Sequence, residues 1–221
     1  MRPAPSGTSF ADWATAVGTV GATILALFGI YRAAWSRPKL RMETHLGKAP
    51  NADHEENMST SNFGPPLPSA WIRARVISRR GLATNAEVSI RKATVQDSSG
   101  TRPINIDGSS LCWSQQEPAT AQLDIPPSLS RRIDIASVTQ SPVGPTPLTL
   151  ETLFKPNNRN HIVPRGRVTL DLAVASSNGP ASYYTAVLEY DGTWPAGEQI
   201  WSHLRVVSLK RQQRLRSFLR A

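Results

Sequence analysis

The sequence has a single cysteine, Cys112, so no intramolecular disulfide framework and no multi-thiolate zinc or iron–sulfur site can form. Metal-ligand spacing is missing too. His45, His54, His161 and His203 lie far apart, and His54-Glu55-Glu56 lacks the second histidine that a zinc-protease helix needs. No glycine-rich phosphate loop, nucleophile elbow or kinase signature occurs. These absences predict a protein that is not an enzyme and holds no metal or cofactor. A hydrolase assembled from sequence-remote side chains is the alternative. Cys112, between Leu111 and Trp113 in an expected strand, reads as a buried inert thiol. Asp97, Asp107 and Asp124 fall near expected strand ends, where turn chemistry accounts for them.

Acid is scarce at two places, and there the positive charge collects. The chain of 221 residues carries +9, yet Met42 to Leu204 holds 14 basic and 15 acidic residues. The surplus sits in Arg32, Arg37, Lys39 and Arg41, and again from Arg205 to Arg220, both stretches free of acid. A near-neutral body with basic ends argues against a nucleic-acid-binding surface on the body itself. The hydrophobic share of 39% excludes wholesale disorder, and the 18 Pro and 14 Gly argue against a coiled coil.

Charge is absent altogether from Trp13 to Tyr31, WATAVGTVGATILALFGIY, bounded by Asp12 and Arg32. At about 1.5 Å per residue, 19 helical residues cover roughly 28 Å, close to the hydrocarbon thickness of a bilayer. This predicts a transmembrane helix over 13–31, after an extracytoplasmic tail over 1–12. Trp13, Tyr31, Arg32, Trp35, Arg37 and Lys39 are the expected membrane-interface residues, with 32–38 as a basic juxtamembrane linker. A buried soluble helix would keep a polar stripe, and a cleaved signal peptide would need a small-residue site where Arg32 stands. One Lys or Arg before the span against four just after it predicts a single-pass inner-membrane protein with its N-terminus outside and its C-terminal domain cytoplasmic. Ala14, Gly18, Ala22 and Ala26 recur every four residues beside Thr15, Thr19 and Thr23, a pattern that lets helices approach and predicts a homo-oligomer through the span.

Beyond the span the apolar period changes from helical to alternating. Strands are expected at 39–46, 71–78, 86–95, 110–114, 121–125, 131–138, 148–154, 166–175, 182–190 and 198–208, with a loop over 45–69 and a tight turn at Asp191-Gly192. The loop contains Gly64-Pro65-Pro66-Leu67-Pro68, in form a polyproline ligand and equally a stiff surface loop. Strands 71–78 and 86–95 are expected to pair with each other. Short strands without amphipathic helices between them predict a mainly β body over 39–208, an antiparallel sandwich of immunoglobulin-like type with a closed barrel as the alternative. The run Trp71-Ile72-Arg73-Ala74-Arg75-Val76, the turn at Gly81 and the strand from Ala86 to Ile90 resemble the opening of bacterial immunoglobulin-like modules, which implies a fold and no activity. One span ahead of a small β domain is also similar in layout to bacterial membrane effectors of nucleotide-signalling antiphage systems. That likeness implies a nucleotide sensor that damages the membrane.

Two binding surfaces are expected. Trp71, Arg73 and Arg75, with Arg91 across the ladder, would receive a small anionic ligand or nucleotide, arginine forks on phosphate and the indole beneath a base. From 209 to 221 a short basic amphipathic helix is expected, its Lys210, Arg211, Arg214, Arg216 and Phe218 contacting the lipids of the anionic leaflet.

Overall fold

A computed structural model describes residues 10–44, 54–59, 67–116, 118–141, 144–195 and 197–212. The chain forms two compact units, residues 1–37 and 38–221.

The first unit is one helix, α1, over Phe10–Ser36. It outruns the charge-free stretch by three residues at the start and five at the end, because Arg32 and the residues after it are good helix formers and no proline intervenes before Pro38. Arg32 and Trp35 therefore belong to the helix, and the linker reduces to Arg37. Tyr31 and Trp35, one turn apart, bring their rings to 5.6 Å.

The second unit holds thirteen strands among its described residues: β1 (Leu40–Glu43), β2 (His54–Ser59), β3 (Leu67–Ser78), β4 (Ala83–Asp97), β5 (Gly100–Pro103), β6 (Cys112–Trp113), β7 (Leu123–Ile125), β8 (Ser130–Thr139), β9 (Leu148–Leu150), β10 (Ile162–Val163), β11 (Gly166–Ser176), β12 (Gly179–Tyr190) and β13 (Leu204–Arg211). They make two antiparallel sheets. One runs β1-β3-β8-β9-β10, with β2 also on β3 and β6 on β8; the other runs β13-β12-β11-β4-β5, with β7 also on β4. The sheets face each other across one core that includes Ile72, Val76, Val88, Ile90, Ile133, Val138, Leu170 and Leu172. This is a sandwich and not a closed barrel.

The clearest alternation, Val168, Leu170, Leu172 and Val174, is the buried face of β11 at the centre of its sheet. Other expectations are corrected. β3 and β4 do not pair; the turn at Arg79 to Gly81 carries the chain from one sheet to the other. The expected loop over 45–69 contains β2, whose polar sequence HEENMS has no apolar alternation and which pairs through its backbone with Leu67–Ile72. Leu67 and Pro68 of the proline-rich run lie in β3, and Gly64 to Pro66 lie outside the described residues, as does Leu46. Asp191-Gly192 is not a two-residue hairpin: a connection over 191–203 with a 3-10 turn at Ile200–Ser202 separates β12 from β13. The expected tail helix begins as strand, since Leu209, Lys210 and Arg211 pair with Ala186, Thr185 and Tyr184, while Arg214, Arg216 and Phe218 fall outside the described residues.

The body begins abruptly at Pro38, which is buried. A Cβ added at Gly179, the first residue of β12, would come within 2.8 Å of both the Pro38 ring and its carbonyl oxygen and 2.9 Å from Ser176 Oγ. Gly179→Ala is therefore expected to destabilise the body by about 1–3 kcal/mol through overpacking, read as a lower thermal midpoint.

Candidate functional site

Most of the residues expected at the membrane interface lie on α1. Trp13, Tyr31, Arg32 and Trp35 are all exposed on it, and Arg37 is the exposed residue that follows. The window Trp13–Arg32 has a mean hydropathy of 1.7 and none of it is buried. This helix is long and apolar enough to cross a membrane. Ala14, Gly18, Ala22 and Ala26 are exposed, and the position of a Gly18 Cβ meets nothing within 4 Å. The threonine stripe is engaged within the helix, for the Thr19 and Thr23 hydroxyls donate to the carbonyls of Thr15 and Thr19 at 2.8 Å.

The expected ligand face divides between the sheets. Trp71, Arg73 and Arg75 alternate along β3 on the side away from the core. Arg91 lies in β4 of the other sheet, where pairing with β11 slips between Asp171 and Leu172. Arg91 is the extra residue of that bulge, which turns both Arg91 and Lys92 outward between buried Ile90 and Ala93. Its guanidinium stacks 4.8 Å above the Tyr183 ring, so Arg91 and the β3 arginines form no common site.

Arg73 is only 6% exposed and Asp134 of β8 only 8%. Arg73 Nε donates to Asp134 Oδ1 at 2.7 Å, Ser114 Oγ donates to the same oxygen at 2.6 Å, and Trp71 presents its ring 5.7 Å from the guanidinium. A register slip in the β3–β8 pairing, between Ile72 and Arg73, sets Asp134 opposite Arg73. Beside this pair lies a second buried acid. Glu151 accepts from Ser137 Oγ at 2.5 Å and stands 3.8 Å from Lys155 Nζ. Burial pushes the Glu151 carboxyl up, outweighing the Ser137 hydrogen bond and Lys155. Cys112, opposite Asp134 in the β6–β8 register, is half-buried, and burial pushes its thiol up, with the Glu151 and Asp134 carboxylates adding to the effect. That is the wrong direction for a nucleophile. The cluster's charges are spent on one another, which suits a structural polar layer.

Of the acids expected at strand ends, Asp97 does turn chemistry, accepting from the Ser99 backbone N–H at 2.8 Å, and Asp107 precedes Gly108 at φ 81°, whereas Asp124 lies within β7 and accepts from the Asn85 backbone N–H of β4 at 2.8 Å. Among the described residues no group of three or more His, Cys, Asp or Glu is arranged to hold a metal ion. His203 escapes sequence reasoning, because its partners arrive from both ends of the 191–203 connection. Its Nδ1 lies 2.7 Å from Asp191 and its Nε2 2.9 Å from Glu198. Both ring nitrogens donate only in the imidazolium form, and these two carboxylates hold its pKa above 6.5. Because the folded value is the higher one, the stabilisation is complete below pH 6.5 and is lost as the pH climbs through the raised value. His203→Gln is expected to flatten that decline of the thermal midpoint with rising pH.

The strongest concentration of charge lies elsewhere. Lys39, Arg41, Arg79, Arg80 and Arg211 line two adjoining clefts of about 660 and 490 Å³ that share Lys39 and Arg211. Four segments meet there: the Arg79 backbone N–H donates to the Lys39 carbonyl at 3.1 Å, Met42 N–H donates to Tyr184 Oη at 3.0 Å, and Arg211 donates to Ser182 Oγ at 3.2 Å. Glu43 is the carboxylate beside them, 2.7 Å from Arg41 and 3.7 Å from Arg79. Of the expected tail contacts, Arg211 is part of this surface and Lys210 is exposed on the same strand. Comparison with protein-family profiles, with curated proteins and with solved structures gives no match.

Proposed function

We propose that this chain is a membrane-anchored, non-enzymatic binding protein: α1 crosses the inner membrane with its N-terminus outside, and the sandwich, of immunoglobulin-like type, engages a partner or ligand in the cytoplasm. The observation that carries the reading is the unburied apolar stretch Trp13–Tyr31, with one basic residue before it and Arg32, Arg37, Lys39 and Arg41 after it. A largely apolar stretch of this length without cover in its own unit is costly in water and favoured in lipid. Reporters fused at Arg2 and at Ala221 test the orientation, and an external C-terminus overturns it. Ile24→Arg, near the middle of the span, is expected to oppose insertion by about 2.5–3.5 kcal/mol, read as a larger uninserted fraction. Self-association through Ala14, Gly18, Ala22 and Ala26 belongs to the same reading, and Gly18→Leu is its test by crosslinking in the membrane.

Two other classes are less well supported. A nucleotide-sensing effector would need Arg73, Arg75 and Arg91 on one face, and β3 and β4 belong to different sheets. A hydrolase would need an activated nucleophile, and the Cys112 thiolate is disfavoured by burial first and then by the nearby Glu151 and Asp134 carboxylates.

A further inference from the structure

We infer that the basic end of the sandwich, the clefts lined by Lys39, Arg79, Arg80 and Arg211, is a binding site for the phosphate headgroups of anionic lipids. This rests on the membrane-anchor reading and extends it from the helix to the folded body.

The length of the connection carries the argument. The helix ends at Ser36 and the body is locked in place from buried Pro38, so Arg37 is the whole linker. From Arg32, where the apolar window closes, four helical residues and three extended ones place Lys39 at most roughly 16 Å along the chain. The headgroup layer of one leaflet takes up about 5–7 Å of that. Whatever angle the body takes to the helix, Lys39 stays within about 10 Å of the headgroups, close to one Debye length at physiological salt. The residues that share its clefts are held near the lipid with it.

The chemistry of the clefts fits the same ligand. Arg79 and Arg80 come from the β3–β4 turn, Lys39 from the start of the body and Arg211 from the end of β13. Cations drawn from three segments surround an opening in which a tetrahedral phosphate can take an arginine fork on one side and the lysine point charge on another. Lys39 and Arg211 make no ion pair with any described carboxylate, and Arg211 spends one nitrogen on Ser182. Ser182 and Gln212 add polar groups to the wall. A nucleic acid would need a basic track several phosphates long, whereas this surface is two compact clefts.

The test uses the full chain in neutral detergent, titrated with short-chain phosphatidylglycerol, phosphatidylcholine, inorganic phosphate or a 20-nucleotide RNA, with bound lipid counted by native mass spectrometry. The protein is expected to retain phosphatidylglycerol at least tenfold more tightly than phosphatidylcholine. Lys39→Gln/Arg79→Gln/Arg211→Gln is expected to lose that preference, and Lys39→Arg/Arg79→Lys/Arg211→Lys to keep it within threefold, with unchanged thermal midpoints showing that both variants fold. Equal retention of phosphatidylglycerol by the glutamine variant overturns the assignment. So does displacement of the lipid by inorganic phosphate at the lipid's own concentration, which would make the ligand a soluble anion, or tighter binding of RNA through the same residues. Flotation of the same protein with liposomes separates the two readings: protein that floats without a headgroup preference refutes the lipid site alone, and protein that does not float refutes the anchor.

Discussion

Arg73→Met is expected to destabilise the body by about 3–5 kcal/mol, the cost of leaving a buried charge without its partner. Asp134 would keep its carboxylate with only the Ser114 hydroxyl supplying a short hydrogen bond, in a position that water scarcely reaches. At about 2–4 °C per kcal/mol for a body of this size, the thermal midpoint should fall by roughly 6–20 °C. Asp134→Leu alone should be as damaging, since it strands the guanidinium. The double variant Arg73→Met/Asp134→Leu should recover most of the loss, because a buried ion pair replaced by well-packed apolar groups is often neutral or stabilising. Single variants costing less than 1 kcal/mol would mean that water reaches this pair and that the polar layer is not structural. If the double variant were as unstable as the sum of the singles, the two side chains would be acting independently.

Trp113→Ala is the second large effect, about 3–5 kcal/mol from lost burial and the cavity left behind. Trp113 is 2% exposed, and its indole N–H donates to the Ala121 carbonyl at 2.9 Å. Its position makes the loss more than local. Residues 104–111 run along β4, with Ile104 N–H donating to Ala93, Ile90 N–H to Ser109 and Leu111 N–H to Val88. The next residue, Cys112, donates instead to Glu151, and β6 joins the opposite sheet on β8. Trp113 thus anchors the strand by which the chain changes sheets. Trp113→Phe, which keeps most of the bulk and loses the hydrogen bond, should cost about 1–2 kcal/mol. Similar midpoints for the alanine and phenylalanine variants in chemical denaturation would contradict this.

The sequence revealed whatever depends on period, and hid whatever depends on partners. Val168 to Val174 announces β11 because that strand buries one face against the opposite sheet. HEENMS announces nothing, since β2 is held by backbone pairing to β3. Arg91 and Lys92 looked like a choice of one face or the other, and the bulge in β4 turns both outward. The pairing of β3 with β8 brings Arg73 to Asp134 across 61 residues, a separation that no local pattern encodes. The basic clefts were half legible. Lys39 and Arg211 stood out as parts of charged runs, but Arg79 and Arg80 read as an ordinary turn. Only the crossing between sheets sets that turn beside the start of the body.

The long apolar helix could be read outright because its signal is compositional: charge is absent over the length that a bilayer requires. Everything proposed for the body's surroundings follows from it. Alkaline carbonate washing of membranes that contain the full chain, followed by density flotation, tests this most directly. The protein should float with the lipid and leave it only in detergent. Full-length protein recovered, folded, in the carbonate supernatant would show that α1 does not cross the bilayer.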